Sequence, residues 1–459
     1  MTALHWLTLA EAAQALRRRE LSALEYTEAL LARIEAVNPK LDAVITLLAD
    51  RARLRAAALD DGPVRGPLHG VPFGLKDIID VAGVPTTAHS AVLKDNIAAK
   101  DAGVTRRLEA AAGVLLAKLS THEFTIGGPS FDLPWPPARN PWNIDCHPGG
   151  SSSGSGAGVA AGLFPLALGT DTGGSVRNPA SCCGIVGMKA TYGRVSRAGV
   201  VPLSWSMDHI GPMTRTVEDN ALALEVLAGH DPDDPVSAHE PAPFYTAGLE
   251  QGVRGMKIGH ARRWHEEDMT AAPEMRTALD EALRVLEGEG ADIVEVDPGP
   301  LQDYSRVNRI ILWAEAWSIH ERWLKEKPAA YGQLGRERLM AGAYLSAGDY
   351  LRALRERGRC VRRLSEALSG VDALVCASSM EPACAIEDEP ELRRTYSRQA
   401  RLPFNVTGHP ALAVPAGFSS AGMPLSFQIA ARNFGEATIY RVARAYERVT
   451  GWTDRHPVL

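Results

Sequence analysis

Residues 149–175 read GGSSSGSGAGVAAGLFPLALGTDTGGS, and Ser151 and Ser175 each follow a pair of glycines within it. Glycine reaches backbone conformations closed to other residues, so such a pair can turn several N–H groups toward one point. A serine just after the pair sits where a nucleophile and an anion-binding pocket can coincide. By composition, GGSSSGSG also reads as a flexible linker. The next residues argue against a linker: AGVAAGL is a small-residue helical segment that runs directly into the apolar strand FPLALGTD. Small residues let a helix lie close on a sheet, so the glycine–serine run is expected to be an ordered turn inside a core.

Outward from this stretch, short apolar runs alternate with amphipathic helices. VPFGLKDIIDVAG reads as strand and loop, and VTRRLEAAAGVLLAKL as a helix with a strand-like end. Residues 217–229 read as helix, EMRTALDEALRVLEGEG followed by ADIVEVD as a helix–strand unit, and residues 303–370 as mostly helical. DALVCASS, FNVTGHPALAVPAGF and PLSFQIA read as strand and turn, and GEATIYRVARAYERV as a closing helix. Near the start, Thr8 with Glu11 and Ser22 with Glu25 match the capping-box pattern. No internal repeat is present. The alternation predicts an α/β protein with a largely buried sheet.

The 459 residues are 45% hydrophobic and 23% charged, the balance of a globular protein, and a formal charge of −6 carries no nucleic-acid footprint. The six cysteines form no C-x-x-C pair, and neighbouring Cys182 and Cys183 are poor disulfide partners, which predicts free thiols in a reducing compartment. The first residues lack a basic segment followed by an apolar one, and no long apolar run occurs further on. The expectation is a cytoplasmic chain with no membrane partner.

A serine hydroxyl needs a nearby base to act as a nucleophile. His122, His147 and His209 lie near informative segments, but none falls in a recognisable Ser/His/Asp order or a G-x-S-x-G elbow. The alternative base is a lysine whose ammonium is destabilised by burial. Lys76, in the apolar run PFGLKDIID, has that setting; a structural ion pair with Asp77 or Asp80 is the plainer reading of it. The turn DTGGS could offer the N–H groups of Thr172, Gly173, Gly174 and Ser175 to an oxyanion, where each donor is worth about 3 kcal/mol of barrier. A plain tight turn is the simpler alternative. Neither glycine segment contains G-K-[ST], and no ligand-spaced His/Cys/carboxylate set occurs, so no phosphate loop and no metal or other cofactor is predicted.

Lys76, Ser151 and Ser175, within GLKD, GGSSSGSG and GTDTGGSVRNPA, resemble the signature of the amidase signature family. The likeness continues through CGIVGMKATYGRVSRAGVVPLS and SMDHIGPMTRTVED, and resumes at PFNVTGHPALAVPAGF. It is strong over about 65–230, good over 400–448 and weak over 240–395, which would form a variable, mainly helical region on the substrate side. The resemblance implies a single large α/β domain, with a mixed, mostly parallel central sheet flanked by helices on both faces. It implies Ser175 as the acyl-accepting nucleophile, Ser151 as a proton relay and Lys76 as the neutral base. It also implies a cis Gly150–Ser151 bond and Arg177 as a brace of the loop, with Ser152, Ser153 and Ser155 as supports. Ala190, His89, Ser153 and the segment CASSME at 376–381 depart from the usual pattern, and the last could reshape the acyl pocket.

The implied reaction is hydrolysis of a C–N bond through a serine acyl-enzyme. The expected substrates are small-molecule amides, including aryl amides, and also esters or carbamates, as for a urethanase. Ile126, Gly127, Gly128, Trp205, Ser206 and Asp208 are the candidate pocket residues, with Trp135, Trp142, Trp313 and Trp317 as further walls or plain core. PSFDLPWPPARNPWN reads as a rigid, shaped entrance. The favoured expectation is a stand-alone amidase, monomer or homodimer, with no nucleic-acid partner. The alternatives are the A subunit of a tRNA-dependent amidotransferase in a glutaminase role, and a non-catalytic relative that only binds. The weak match over 240–395 and the shortish chain favour the first.

Overall fold

The computed structural model describes residues 3–459. Among these, eleven strands form one sheet: β1 (Val44–Leu47), β2 (Pro72–Lys76), β3 (Val114–Leu119), β4 (Leu166–Asp171), β5 (Val186–Lys189), β6 (His209–Thr214), β7 (Lys257–His260), β8 (Asp292–Glu295), β9 (Ala373–Ala377), β10 (Ala411–Phe418) and β11 (Pro424–Ala430). Their order across the sheet is β1-β3-β2-β4-β6-β5-β10-β11-β9-β7-β8, with helices flanking it. One contiguous apolar core runs from Leu9 in the first helix to Tyr446 in the last long one. No helix among the described residues is long and apolar enough to cross a membrane.

The helix starts follow the expected chemistry in part. Thr8 Oγ1 accepts from the Glu11 N–H at 3.1 Å and Glu11 Oε2 accepts from the Thr8 N–H at 2.8 Å, so both halves of the first capping box form. At Ser22 only the first half forms, with the Glu25 N–H donating at 3.0 Å.

Two expectations change. The sheet is mixed, but six of its ten strand pairs are antiparallel and only four (β2 with β3 and β4, β7 with β8 and β9) are parallel. Continuous apolar runs suggest parallel strands because those are usually covered on both faces. Here the antiparallel strands β6, β10 and β11 are buried almost throughout as well, so the cue does not separate the two. In addition, Leu402–Thr407 is helical rather than strand and turn.

The glycine–serine run is no linker. Residues 149–160 are all buried, and Ser153–Ala160 is a helix lying beside β4. Ser155 Oγ donates to the Leu168 carbonyl at 2.9 Å, fastening that helix to the strand. β2 and β4 are parallel neighbours, so their carboxyl ends, Lys76 and Asp171, open on the same edge of the sheet. That edge is where open α/β sheets place their ligands.

Candidate active site

Lys76 ends β2 with its side chain fully buried. Its Nζ donates to Ser151 Oγ at 2.7 Å and to Thr170 Oγ1 at 2.8 Å, and neither partner carries charge. The ion pair weighed for it does not form, because Asp77 turns to Lys118 at 2.9 Å. Burial pushes the Lys76 ammonium well below the ordinary lysine range, and Asp171 and Asp208 offset this only in part. The site therefore holds a lysine able to take a proton.

Ser151 is reached from Gly150 through a cis peptide bond. A Cβ on Gly150 would run into the His122 ring, which accounts for the glycine there. The Gly150 N–H donates to Asn178 Oδ1 at 2.8 Å and the His122 N–H to the Ser151 carbonyl at 3.0 Å, fixing the bend from both sides. Ser152 Oγ donates to the Thr170 carbonyl at 3.2 Å and accepts from the Thr170 N–H at 3.1 Å. The turn of Ser151 is thus sewn to the end of β4.

The 172–175 turn hangs from Asp171. This buried carboxylate accepts from the Gly174 N–H at 2.7 Å and the Val176 N–H at 3.2 Å. Gly174 has φ of +116°, and a Cβ there would also strike Arg401, so only glycine serves. Since its N–H is already bound, Gly174 leaves the expected oxyanion set, while the N–H groups of Thr172, Gly173 and Ser175 have no acceptor among the described residues. Gly173 and Ser175 are the half-exposed members of an otherwise buried turn. Ser175 Oγ makes no hydrogen bond among the described residues; its carbonyl accepts from the Ser152 N–H at 3.2 Å, which joins the two serine turns.

Arg177 braces this turn from a fully buried position. It donates to both Asp171 oxygens at 3.1 Å, to Asn405 Oδ1 at 2.7 Å, to Gln428 Oε1 at 2.9 Å and to the Arg401 carbonyl at 3.0 Å. Burial alone would raise the Asp171 carboxyl, but Arg177 and Asn405 hold it well below the usual carboxylate range. Asn405 Nδ2 completes the cage with a 2.8 Å bond to Asp171 Oδ1. Thr170, Asp171, Asn178, Asn405 and Gln428 are not singled out by the sequence, although all lie in segments that carry the family likeness.

The histidines do not serve the serines. Burial, then Lys76, keeps the His122 imidazole well below its usual value, and burial lowers His147 to about 4. His147 Nδ1 accepts from the Gly149 N–H at 3.0 Å, and His209 Nε2 meets Lys189 Nζ at 3.1 Å. No histidine ring nitrogen bonds to Ser151 or Ser175 among the described residues.

The expected pocket residues divide between two cavities. Gly127 and Gly128 line one of about 630 Å³ together with Gln333, Glu337, Arg338 and Tyr396. Trp205 and Asp208 line another of about 460 Å³, walled by Ile78, Val200, Leu203 and Ile210. Ile126 is buried and lines neither. Asp208 is spoken for: its carboxylate accepts from Thr172 Oγ1 at 2.6 Å and from the N–H groups of Leu203 and Ser204 at 2.8 and 2.9 Å, so it shapes the loop rather than waiting for a ligand. The Ser206 N–H donates to Glu315 at 3.1 Å. Trp142 donates to the Cys183 carbonyl and packs on Phe418, away from both cavities. Trp313 and Trp317 pack against the core, and the Trp135 carbonyl meets His89 Nε2 at 3.0 Å. Pro129–Asp132, the start of the proline-rich loop, lines the first cavity.

Comparison with known proteins gives concordant results. The profile of the Amidase family matches residues 25–440. The A subunit of the glutamyl-tRNA(Gln) amidotransferase of Roseiflexus sp. (strain RS-1) is 40% identical over 488 residues, covering 100% of this chain and 99% of that one. An amidase of Pseudomonas putida is 42% identical over 472 residues, with coverages of 100% and 99%. Among solved structures, a chain of a protein complex described for the evolutionary origins of an s-triazine catabolic enzyme superposes with a TM-score of 0.90. It is 31% identical and covers 97% of this chain and 99% of its own.

These likenesses overturn the expectation of a monomer or homodimer with no nucleic-acid partner. A relative matching end to end belongs to an enzyme named for a tRNA. Chain length and the middle region argue against that class when the sequence is read alone, yet the alignment spans 100% of this chain and 99% of the relative.

Proposed function

The chain belongs to the amidase (amidase signature) family of hydrolases, and we propose that it breaks an amide C–N bond through an acyl-enzyme on Ser175 and works as the nitrogen-releasing component of an amidotransferase-type assembly. The observation that carries the chemistry is the buried Lys76 amine, whose side-chain partners are the hydroxyls of Ser151 and Thr170. Ser175 Oγ attacks the acyl carbon, and its proton passes through Ser151 to Lys76. The unengaged N–H groups of Thr172, Gly173 and Ser175 receive the oxyanion in a preorganised pocket. The proton then returns to the departing nitrogen, and water releases the acid from Ser175. Arg177 and Asp171 act as positioning residues, since they hold the turn and touch no reacting atom. The region 240–395 supplies the wall of the larger cavity through Gln333, Glu337 and Arg338.

The end-to-end likeness to the A component of an amidotransferase supports the assembly role. A second reading, an amidase that discharges its substrate to water without a transfer partner, is favoured by the 42% identity to the Pseudomonas amidase over the full chain. Release of ammonia from glutamine by the purified chain separates the two. The assembly reading expects low turnover alone and at least a tenfold rise on adding glutamyl-tRNA together with the B-type component; unchanged turnover moves the assignment to the second reading. A fluorophosphonate should label Ser175 in either case, and label found elsewhere would sink the mechanism.

A further inference from the structure

Three arginines among the described residues are less than 2% exposed, and two of them face a carboxylate: Arg177 meets Asp171 at 3.1 Å and Arg194 meets Glu436 at 4.0 Å. The third, Arg401, meets none among the described residues. Its Nη1 donates to Ser379 Oγ at 2.6 Å and to Ser378 Oγ at 3.5 Å, and its Nε is buried without any partner. Both serines stand in 376–381, the segment whose sequence departs from the family pattern. A buried charge ordinarily carries a counter-ion, because the interior screens it poorly. Burial lowers Arg401 only to about 10, so the guanidinium is charged at neutral pH and stands uncompensated.

Its place is the nucleophile's own turn. A Cβ on Gly174 would lie 2.5 Å from Arg401 Nε and 2.8 Å from its Cδ, so the side chain packs directly on that backbone. The unengaged N–H groups of Gly173 and Ser175 flank the same glycine. The Arg401 carbonyl accepts from Arg177 Nη1 at 3.0 Å, which ties the residue to the Asp171 cage. The charge is also felt at the other serine turn: His147, bound to the Gly149 N–H, is lowered chiefly by burial and next by Arg401.

We propose that Arg401 is a positioning residue whose charge stands behind the 173–175 turn as the counter-ion of the acyl oxyanion. The inference rests on the acyl-enzyme reading of Ser175. As Ser175 Oγ bonds to the acyl carbon, its proton passes through Ser151 to Lys76 and the carbonyl π pair moves onto oxygen. That negative charge forms beside Gly173 and Ser175, where a low dielectric magnifies its attraction to the buried cation. Arg401 touches no reacting atom; it acts across the Gly174 backbone. The free protein bears the unpaired charge and the oxyanion relieves it, so the gain falls on the transition state and not on substrate binding.

The test separates charge from hydrogen bonding with three substitutions, Arg401→Lys, Arg401→Gln and Arg401→Met. The readout is the second-order rate of fluorophosphonate labelling at Ser175, per folded protein, since there the phosphoryl oxygen gains negative charge as fluoride departs. Arg401→Lys keeps the charge and should label within threefold of wild type. Arg401→Gln keeps a donor for Ser379 without the charge and should label at least tenfold more slowly, as should Arg401→Met. The melting temperature of Arg401→Gln should equal or exceed that of wild type, because an uncompensated ion has been removed. Labelling of Arg401→Gln within threefold of wild type overturns the proposal. So does a slow Arg401→Lys, or a slow Arg401→Gln that melts lower, either of which makes Arg401 a plain structural brace. The Lys and Gln pair decides the matter even where Arg401→Met does not fold. Absence of label from Ser175 in the wild-type chain would instead overturn the acyl-enzyme reading beneath it.

Discussion

Lys76 and Lys118 are both fully buried and sit on adjacent strands, with Lys118 paired in register to Leu75 and Lys76 to Leu119. Alternation along a strand therefore sends the two amines to opposite faces of the sheet. On one face Lys118 meets the Asp77 carboxylate at 2.9 Å, with the Pro85 carbonyl and the Thr86 hydroxyl each at 3.0 Å. On the other, Lys76 finds only hydroxyls. Burial is common to both, so burial alone does not make a base. The partners differ: Lys118 is held by a carboxylate, whereas Lys76, with hydroxyls alone beside it, is pushed by burial well below the ordinary lysine range.

Removing each lysine should break the comparison in opposite ways. Lys76→Met should cost about 10⁴-fold in kcat, the scale of losing one member of a catalytic set, with thermal stability unchanged or raised. A loss below tenfold would point to another base. Lys118→Met leaves the Asp77 charge buried and unpaired and should destabilise the fold by about 3–5 kcal/mol in urea titration, with kcat of the folded fraction within about threefold. Thr170→Val sharpens the contrast by removing one of the two hydroxyls. Its loss of about 1 kcal/mol should appear as a five- to tenfold drop in kcat. It should also shift the acid limb of kcat/KM to lower pH, because the ammonium form loses an acceptor.

The smallest expected effect concerns Glu123, a buried carboxyl that, unlike Asp77, has no lysine. Burial raises it to about 7, against bonds from Ser90 and the Gly332 N–H that favour the anion. Its folded value exceeds its unfolded one, so its stabilising contribution is present at low pH and fades as pH rises through 7. Measured against Glu123→Gln, the wild-type melting temperature should fall by roughly 2 °C more between pH 5 and 8. The residues at stake are those at the start of the Gln333–Met340 helix, which walls the larger cavity.

Much of this site was legible in the sequence because its chemistry is local. Glycine pairs announce Ser151 and Ser175, and an apolar run announces a buried Lys76. The brace was not legible: Asp171 meets Asn405 at a separation of 234 residues, and Arg177 meets Gln428 at 251. Nothing in a short window marks such partners. The division of the pocket was hidden for a related reason, since Gly127 and Trp205 are presented by separate loops whose facing depends on the whole sheet. Strand direction was misjudged where apolar content, the available cue, is the same for both senses. The oxyanion set was overdrawn at Gly174 because the Asp171 side chain reaches back three residues to claim its N–H.

The reach of Arg177 also bears on how the protein is made. A chain leaving the ribosome carries Lys76, Ser151 and Ser175 well before residues 405 and 428 exist, and until then the guanidinium has neither of its amide partners on Asn405 and Gln428. The turn that carries Ser175 is therefore fully braced only once the last strands are in place, and a chain that stops short of residue 405 lacks both of those partners.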